Sequence, residues 1–167
     1  GKPRGPEWLV KAMVDVTSLG SVTVVTLVTV FTTGFLLVAR RPLSALLASL
    51  SAARGGLVMH LLKLSFGRTR PDVVPHLVDV TSASFPSGHA MLSTTVYLTL
   101  AVIVVETSNR RVGIYVMSIA VLLALAIGFS RVYLGVHYPT DVLAGWCAGV
   151  AWALLCWLLT NRLVRRQ

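Results

Sequence analysis

The chain has 167 residues, of which 55% are hydrophobic and only 13% are charged, and its formal net charge is +9 at pH 7. The mean hydropathy of +0.78 excludes an ordinary soluble globular protein and indicates an integral membrane protein. A nucleic-acid-binding protein is disfavoured because the basic residues are scattered around apolar stretches instead of forming one stripe. Contact with the anionic lipids of a bilayer explains the positive charge better.

Residues 1–20 are amphipathic, with Trp8 among their apolar residues, and are predicted to lie at the membrane interface. Five apolar stretches follow, each of roughly the 20 residues that a helix needs to cross a hydrocarbon core about 30 Å thick. They comprise residues 21–39, 43–62, 90–106, 113–129 and 142–160. The first stretch is rich in β-branched residues, which are common in strands, but its length and lack of charge favour a helix. The sequence therefore predicts an all-α fold, a polytopic membrane helix bundle that forms one domain over residues 1–167, with short interfacial helices in its extracytoplasmic loops.

The charges between these stretches predict how the chain crosses the membrane. The breaks near residues 40–41, 110–111 and 162–166 are almost purely basic, as cytoplasmic loops usually are. Residues 63–89 and 130–141 are then expected on the extracytoplasmic side. Five spans would also leave Gly1 on that side, so an upstream segment is expected to precede it.

Three basic residues in the outer segments predict a phosphate site. Lys63 and Arg131 end two of the predicted helices, and Arg70 follows Lys63 by seven residues, so all three are expected at one membrane depth. Arg offers a planar fork of donors that matches phosphate oxygens, and Lys offers a point charge, so the set suits a doubly charged phosphate. Each residue taken alone is also typical of a lipid-headgroup anchor.

The stretch "SFPSGHAML", residues 84–92, predicts that an anion binds at the start of a helix. Pro86 and Ser87 precede a helix beginning near His89, whose first backbone N–H groups have no partner within the helix. These donors and the positive end of the helix dipole favour an anion, which Gly88 allows close to the backbone. Ser87 would add its hydroxyl as a further donor.

His137 and Asp141 are spaced to form a pair. Pro139 predicts a helix start that puts Asp141 in the first turn, from which its carboxylate can reach the imidazole of His137. Such a bond fixes one ring nitrogen as a donor and leaves the other to attack phosphorus, while His89 would protonate a leaving oxygen. A simple helix cap, or a metal site built from His89, His137 and Asp141, is an alternative. The metal site is less favoured, because three nearby cations would repel a divalent ion.

Together these residues resemble the three motifs of the type 2 phosphatidic acid phosphatase superfamily, the membrane lipid phosphatases related to vanadium haloperoxidases. The motifs are Lys-x6-Arg-Pro, Pro-Ser-Gly-His and Ser-Arg-x5-His-x3-Asp. Here they read "KLSFGRTRP" from Lys63, "PSGH" from Pro86 and "SRVYLGVHYPTD" from Ser130. Every specified position matches, in the right order and between the right predicted helices.

The resemblance implies a role for each matched residue. His137 would be the nucleophile that forms a phosphohistidine, Asp141 the carboxylate that orients it, and His89 the general acid and later the base. The phosphate-binding set would comprise Lys63, Arg70, Ser87, Gly88 and Arg131. The family needs no metal or other cofactor, so none is expected here.

The resemblance also implies a lipid phosphatase that acts on the outer leaflet of a bacterial cytoplasmic membrane. Its substrate would be an isoprenoid pyrophosphate such as undecaprenyl pyrophosphate, phosphatidylglycerophosphate or phosphatidic acid, and the motifs leave that choice open. Family members commonly have six spans, so a first span is expected to be missing from the five seen here.

Two other functions stay open as alternatives. An anion-binding transporter or channel is disfavoured because the charged residues gather at one face, and a haloperoxidase-like protein is disfavoured by the apolar spans. Arg54 and His60 fall outside the three motifs, and a role in substrate choice is a hypothesis for each.

Overall fold

The protein is an all-helical bundle. The computed structural model describes residues 5–71 and 82–164, with side chains described to residue 159, and over those residues it contains no β-strand. The helices are α1 (Glu7–Ser18), α2 (Val22–Val38), α3 (Pro42–Phe66), α4 (Gly88–Val105), α5 (Arg110–Tyr133) and α6 (Pro139–Val164).

Each predicted apolar stretch falls on one of the helices α2 to α6, and α2 decides between strand and helix at residues 21–39 in favour of the helix. In an apolar medium a helix satisfies its backbone hydrogen bonds internally, and this outweighs the β-propensity of Val and Thr. Helices α3 to α6 are each long and apolar enough to cross a membrane, and α1 and α2 qualify together as a pair bent by 46°. The predicted all-α membrane bundle is confirmed, with four spans, or five if the bent pair is one span.

Local sequence signals set the helix ends. The side chains of Ser21, Ser87 and Asn109 accept hydrogen bonds from backbone N–H groups in the first turns of α2, α4 and α5. Proline opens α3 and α6, at a position where a backbone N–H would have no helical partner. Gly67 ends α3 in the left-handed conformation, with φ of +53°, which glycine adopts without strain.

Helix α4 lies at the centre of the bundle. It is the most buried of the four individual spans, and it packs against α2, α3, α5 and α6. Its close contact with α6 depends on glycine, because a Cβ added at Gly145 would lie 2.8 Å from the carbonyl oxygen of Ser87. A Cβ added at Gly149 would lie 2.8 Å from the carbonyl oxygen of Met91. The start of α4 is thus held directly against the first turns of α6.

The two segments predicted to carry the chemistry meet at one end of the bundle, where Arg68 bonds to Thr140 and Arg70 to the carbonyl of Val136. Residues 134–138 form a short turn between α5 and α6. In the longer connection after α3, residues 72–81 lie outside the described residues. The parts of both loops that the structure describes contain no separate helix of the interfacial kind that the sequence predicted.

Candidate active site

A cavity of about 470 Å³ lies at this end of the bundle. Six of the eight residues predicted for the site line it: Lys63, Arg70, Gly88, His89, Arg131 and His137. The other two, Ser87 and Asp141, are completely buried and do not line the cavity. The fold therefore gathers all three sequence motifs around one cavity.

His137 has different partners for its two ring nitrogens. Nδ1 lies 3.4 Å from Oδ2 of Asp141, and Nε2 lies 3.1 Å from Nη1 of Arg70. Because a guanidinium donates hydrogen bonds and accepts none, Nε2 is the acceptor and the ring proton is on Nδ1. Burial, reinforced by the positive charges of Arg70, Arg131 and Lys63, lowers the pKa of His137 to about 2. The imidazole is therefore neutral and carries a lone pair on Nε2.

The carboxylate of Asp141 is wholly buried, yet both of its oxygens have donors. Oδ2 faces His137 and also accepts from the hydroxyl of Ser84 at 2.5 Å and from the backbone N–H of Tyr138 at 3.0 Å. Oδ1 accepts from Nη1 of Arg68 at 2.8 Å. The bond to Tyr138 caps α6, so the helix cap and the contact with His137 occur together.

Lys63 and Arg70 reach the cavity from the end of α3 and from the loop that follows it. Nζ of Lys63 donates to the carbonyl oxygen of Ala83 at 2.5 Å. Nε of Arg70 donates to the carbonyl oxygen of Ser82 at 2.9 Å, and Nη1 donates to that of Val136 at 2.8 Å. These acceptors are neutral, and no carboxylate of the described residues lies within 4.0 Å of either cation. Both charges are thus available to an anion in the cavity.

Arg131, in the last turn of α5, is almost completely buried. Its Nη1 donates to the hydroxyl of Thr17 at 3.1 Å, whereas its Nε has no hydrogen-bond partner. A buried guanidinium with a free N–H next to a cavity is a strong donor for an anion there. Thr17 is consequently a contact that helps to set the orientation of this arginine.

His89 lies in the first turn of α4 and lines the same cavity as His137. Nearby, the backbone N–H of Ser87 donates to the carbonyl oxygen of Asp141 at 2.9 Å, which links the start of α4 to the first turn of α6. The hydroxyl of Ser87 accepts from the backbone N–H of Ala90 at 3.5 Å and so caps α4. The phosphate-binding role of that hydroxyl stays a prediction. Among the described residues, no group of three or more His, Cys, Asp or Glu side chains is arranged to hold a metal ion.

The bend between α1 and α2 supplies one wall of the cavity, through Thr17, Ser18, Gly20 and Val22. This bend packs tightly on the site, because a Cβ added at Gly20 would lie 3.3 Å from the carbonyl oxygen of His89. The sequence predicted only an interfacial segment over residues 1–20.

An apolar groove of about 420 Å³ adjoins the cavity and shares Val22 and Leu92 with it. Its other lining residues come from α2, α3 and α4, among them Thr29, Gly56 and Val96. The cavity that the charged side chains line therefore adjoins an apolar space between α2, α3 and α4.

Three residues that sequence reasoning missed support the predicted set. Arg68 and Ser84 bond to Asp141, and Thr17 bonds to Arg131. Arg68 falls inside the first motif at a position where any residue is accepted, and Ser84 precedes the second motif by two residues. Because a buried carboxylate is usually paired with a cation, a basic partner for Asp141 was predictable from the sequence, and Arg68 was one candidate. No sequence signal connects Thr17 with a residue more than a hundred positions away.

Comparison with known proteins decides the family, since the model of the PAP2 superfamily matches residues 44–165, which include all three motifs. The chain belongs to the PAP2 superfamily. Phosphatidylglycerophosphatase B of Bacillus subtilis is 36% identical over 147 residues, which are 86% of this chain and 71% of that protein. The crystal structure of a transmembrane PAP2 type phosphatidylglycerolphosphate phosphatase from Bacillus subtilis has a TM-score of 0.89 and 33% identity, covering 95% of this chain and 80% of that one. An undecaprenyl-diphosphatase of Sulfolobus acidocaldarius is 41% identical over 69 residues, 41% of this chain and 30% of that protein.

Membership of the PAP2 superfamily confirms the predicted family and enzyme class. The chain is a lipid phosphatase, and its apolar helices make it a multi-pass membrane protein.

Proposed function

We propose that this protein hydrolyses the phosphate or pyrophosphate group of a membrane lipid through a phosphohistidine on His137, at the extracytoplasmic face of a bacterial cytoplasmic membrane. The observation that carries the proposal is the environment of His137. Its imidazole is neutral, with Nδ1 facing Asp141 and Nε2 facing Arg70, beside a cavity lined by three cations. A nitrogen lone pair in an anion-binding cavity suits nucleophilic attack on phosphorus.

In the first step, the Nε2 lone pair of His137 forms a bond to phosphorus as the bond between phosphorus and the leaving oxygen breaks. The electron pair of the broken bond goes to that oxygen, which takes a proton from His89. The negative charge of the phosphate bound among the cations keeps this imidazole protonated before the transfer. The ring of His137 becomes positively charged, and Asp141 stabilises this charge across the Nδ1 contact. The non-bridging oxygens of the phosphate are stabilised by the cations of the cavity, Lys63, Arg70 and Arg131.

In the second step, water attacks the phosphohistidine. His89, now neutral, accepts a proton from the water, and the bond between phosphorus and Nε2 breaks with its electron pair returning to the ring of His137. Inorganic phosphate leaves, and both histidines are back in their starting protonation states. Each step uses side chains of this chain, so we expect activity in the presence of a chelator.

The substrate is proposed to be phosphatidylglycerophosphate, with undecaprenyl pyrophosphate and phosphatidic acid as the competing choices. A relative that matches 86% of the chain is named phosphatidylglycerophosphatase B, whereas the matches to two undecaprenyl-diphosphatases cover 41% and 59% of it. The apolar groove next to the cavity supports a lipid substrate, since lipid tails would lie in the groove while the phosphate occupies the cavity.

Charge supports the proposed orientation. Exposed Arg40, Arg41, Arg110 and Arg111 lie between α2 and α3 or at the start of α5, at the helix ends remote from the cavity. Short basic loops of this kind are retained on the cytoplasmic side. The cavity would then open on the opposite side, at the level of the outer lipid headgroups.

Phosphate release from the three lipids in detergent, with EDTA present, tests the reaction. We expect the wild type to stay active and to rank the substrates, His137→Ala to lose at least about 10⁴-fold in kcat, and His89→Ala at least about 100-fold. His60→Ala is the matched control, because His60 is exposed and does not line the cavity. Substrate labelled with ³²P and an alkaline quench should leave label on the wild type and none on His137→Ala. Full activity of His137→Ala would refute the phosphohistidine.

The orientation is tested by labelling single cysteines in whole cells. After Cys147 and Cys156 are replaced by Ser, a cysteine is introduced at Thr69, which is exposed beside the cavity, or at Ser108, which is exposed in the turn between α4 and α5. A membrane-impermeant maleimide should label the Thr69→Cys protein in intact cells and the Ser108→Cys protein only after lysis. The reverse pattern would contradict the proposed orientation.

A further inference from the structure

Arg68 lies on the far side of Asp141 from the phosphate cavity. Its Nη1 donates to Oδ1 of Asp141 at 2.8 Å and to the hydroxyl of Thr140 at 3.0 Å. The guanidinium carbon lies 4.3 Å from the centre of the Tyr138 ring, which adds a cation–π contact. Although Arg68 is only two residues from Arg70, it does not line the cavity. The two arginines therefore have different tasks.

Arg68 supplies a positive charge in direct contact with Asp141. The carboxylate is 0% exposed, and a buried charge is tolerated when it is paired and hydrogen-bonded. Among the described residues, Arg68 is the only Arg or Lys with a nitrogen within 4.0 Å of this carboxylate. The remaining donors, from Ser84 and Tyr138, are neutral.

Arg68 also fixes which carboxylate oxygen faces His137. With Oδ1 bound to the guanidinium, Oδ2 is the oxygen that lies 3.4 Å from Nδ1 of His137. The backbone takes part as well, because the carbonyl oxygen of Arg68 accepts from the N–H of Ser84 at 2.8 Å, and the hydroxyl of Ser84 donates to the same Oδ2. If the carboxylate turned, Nδ1–H would lose its charged acceptor and keep only the hydroxyl of Ser84, whose oxygen also lies 3.4 Å away. The proton would then be free to move to Nε2, which would remove the lone pair that attacks phosphorus.

We propose that Arg68 is a positioning residue for the reaction: its ion pair with Oδ1 holds the carboxylate of Asp141 so that Oδ2 faces Nδ1 of His137, and thereby keeps the lone pair on Nε2. This inference rests on the proposed role of His137 as the nucleophile. Arg68 does not line the cavity and has no hydrogen bond to His137, so it acts through its contact with Asp141.

Three substitutions separate charge, hydrogen bonding and packing: Arg68→Lys keeps the charge, Arg68→Gln keeps a donor without charge, and Arg68→Ala removes both. Each is assayed with phosphatidylglycerophosphate in detergent micelles over a range of pH, next to wild type, His137→Ala and the surface control Arg111→Ala. We expect Arg68→Gln and Arg68→Ala to lose about 10- to 100-fold in kcat while KM changes less than about threefold. Arg68→Lys and Arg111→Ala should keep kcat within about threefold of the wild type.

Chemical rescue adds a readout that a loss of folding would not produce. The side chain of Arg68 is 41% exposed, so guanidinium ion from solution has access to the gap left in Arg68→Ala. Adding this ion should raise the kcat of Arg68→Ala at least tenfold. The same ion should not rescue Asp141→Ala. If Arg68→Ala does not fold, the pair of Gln and Lys variants decides the question, because kcat should fall in Arg68→Gln and be kept in Arg68→Lys.

Several results would overturn the inference. Wild-type activity in both Arg68→Gln and Arg68→Ala would do so, as would lost activity that neither Arg68→Lys retains nor guanidinium ion rescues. A rise in KM at unchanged kcat would assign Arg68 to substrate binding instead. The proposed function is judged separately: an active wild type with an inactive His137→Ala supports it whatever Arg68 does, and an inert wild type overturns both.

Discussion

Replacing Gly145 with Ala is expected to impair catalysis through a shift of α4. The added Cβ would lie 2.8 Å from the carbonyl oxygen of Ser87, whereas ordinary contact begins at 3.4 Å, so a displacement of about 0.6 Å (3.4 − 2.8) is required. The Cβ of Ala90 at 3.0 Å offers no relief on that side. His89 is carried by α4 and His137 precedes α6, so the displacement separates the two histidines of the proposed reaction.

The size of both effects follows from this displacement. Overpacking of a tight helix contact costs ~1–3 kcal/mol of stability. A misplacement of about 1 Å at a reacting centre lowers the rate about 100-fold, so a displacement of about 0.6 Å should lower kcat by about 10- to 20-fold. Phosphate release and the unfolding midpoint Tm, measured in the same detergent, report the two effects separately.

Gly149→Ala is the matched control for this prediction. Its Cβ would lie 2.8 Å from the carbonyl oxygen of Met91, an equal clash one helical turn deeper in the bundle. We expect a similar fall in Tm with a loss of kcat below about threefold. Gly34→Ala, where no atom lies within 4 Å of the added Cβ, should change neither quantity. Equal losses of kcat at positions 145 and 149, or a lower Tm with unchanged kcat in Gly145→Ala, would refute the reasoning.

Three further predictions concern hydrogen bonds and protonation. Thr17→Val removes the bond to Arg131 and should weaken inhibition by inorganic phosphate about tenfold, whereas Thr17→Ser should keep it; equal inhibition constants would count against the contact. Because the pKa of His137 is lowered from 6.5 to about 2, its neutral form stabilises the fold above pH 6.5, and this contribution is lost as the pH falls. The Tm of the wild type should therefore drop more between about pH 7 and about pH 5 than that of His137→Gln, and parallel curves would contradict this. The buried hydroxyls of Ser51 and Thr99 are 2.9 Å apart, so Ser51→Ala and Thr99→Val should each cost ~1–3 kcal/mol and the double variant less than their sum; additive losses would show that the bond is not formed.

Most of the fold was predictable from the sequence because two strong constraints agree. Apolar stretches of membrane length have to be helical when the backbone has no other hydrogen-bond partners, and this decided α2 in spite of its Val and Thr residues. Proline and small polar caps then set the helix starts, as Pro139 and Ser87 do. The bend between α1 and α2 was not predictable, because it depends on packing of Gly20 against Ile127 and His89 in distant helices.

The candidate site was predictable to the extent that its residues lie close together in sequence. His137 and Asp141 are one helical turn apart, so their contact follows from the helix start between them. Arg68 was overlooked because spacing alone does not say which of two nearby basic residues, Arg68 or Arg70, contacts the carboxylate of Asp141. The bond from Thr17 to Arg131 joins helices at opposite ends of the chain and requires coordinates.

The cavity wall formed at the bend between α1 and α2 has a consequence for how substrate preference changes. The residues that carry the motifs all fall within 44–165, the range shared with the family, whereas Thr17, Ser18, Gly20 and Val22 lie before it. Thr17 holds Arg131, whereas Ser18 and Val22 line the cavity without a hydrogen bond to its charged side chains. Changes at Ser18 and Val22 can therefore alter the shape of the cavity while every motif residue stays as it is.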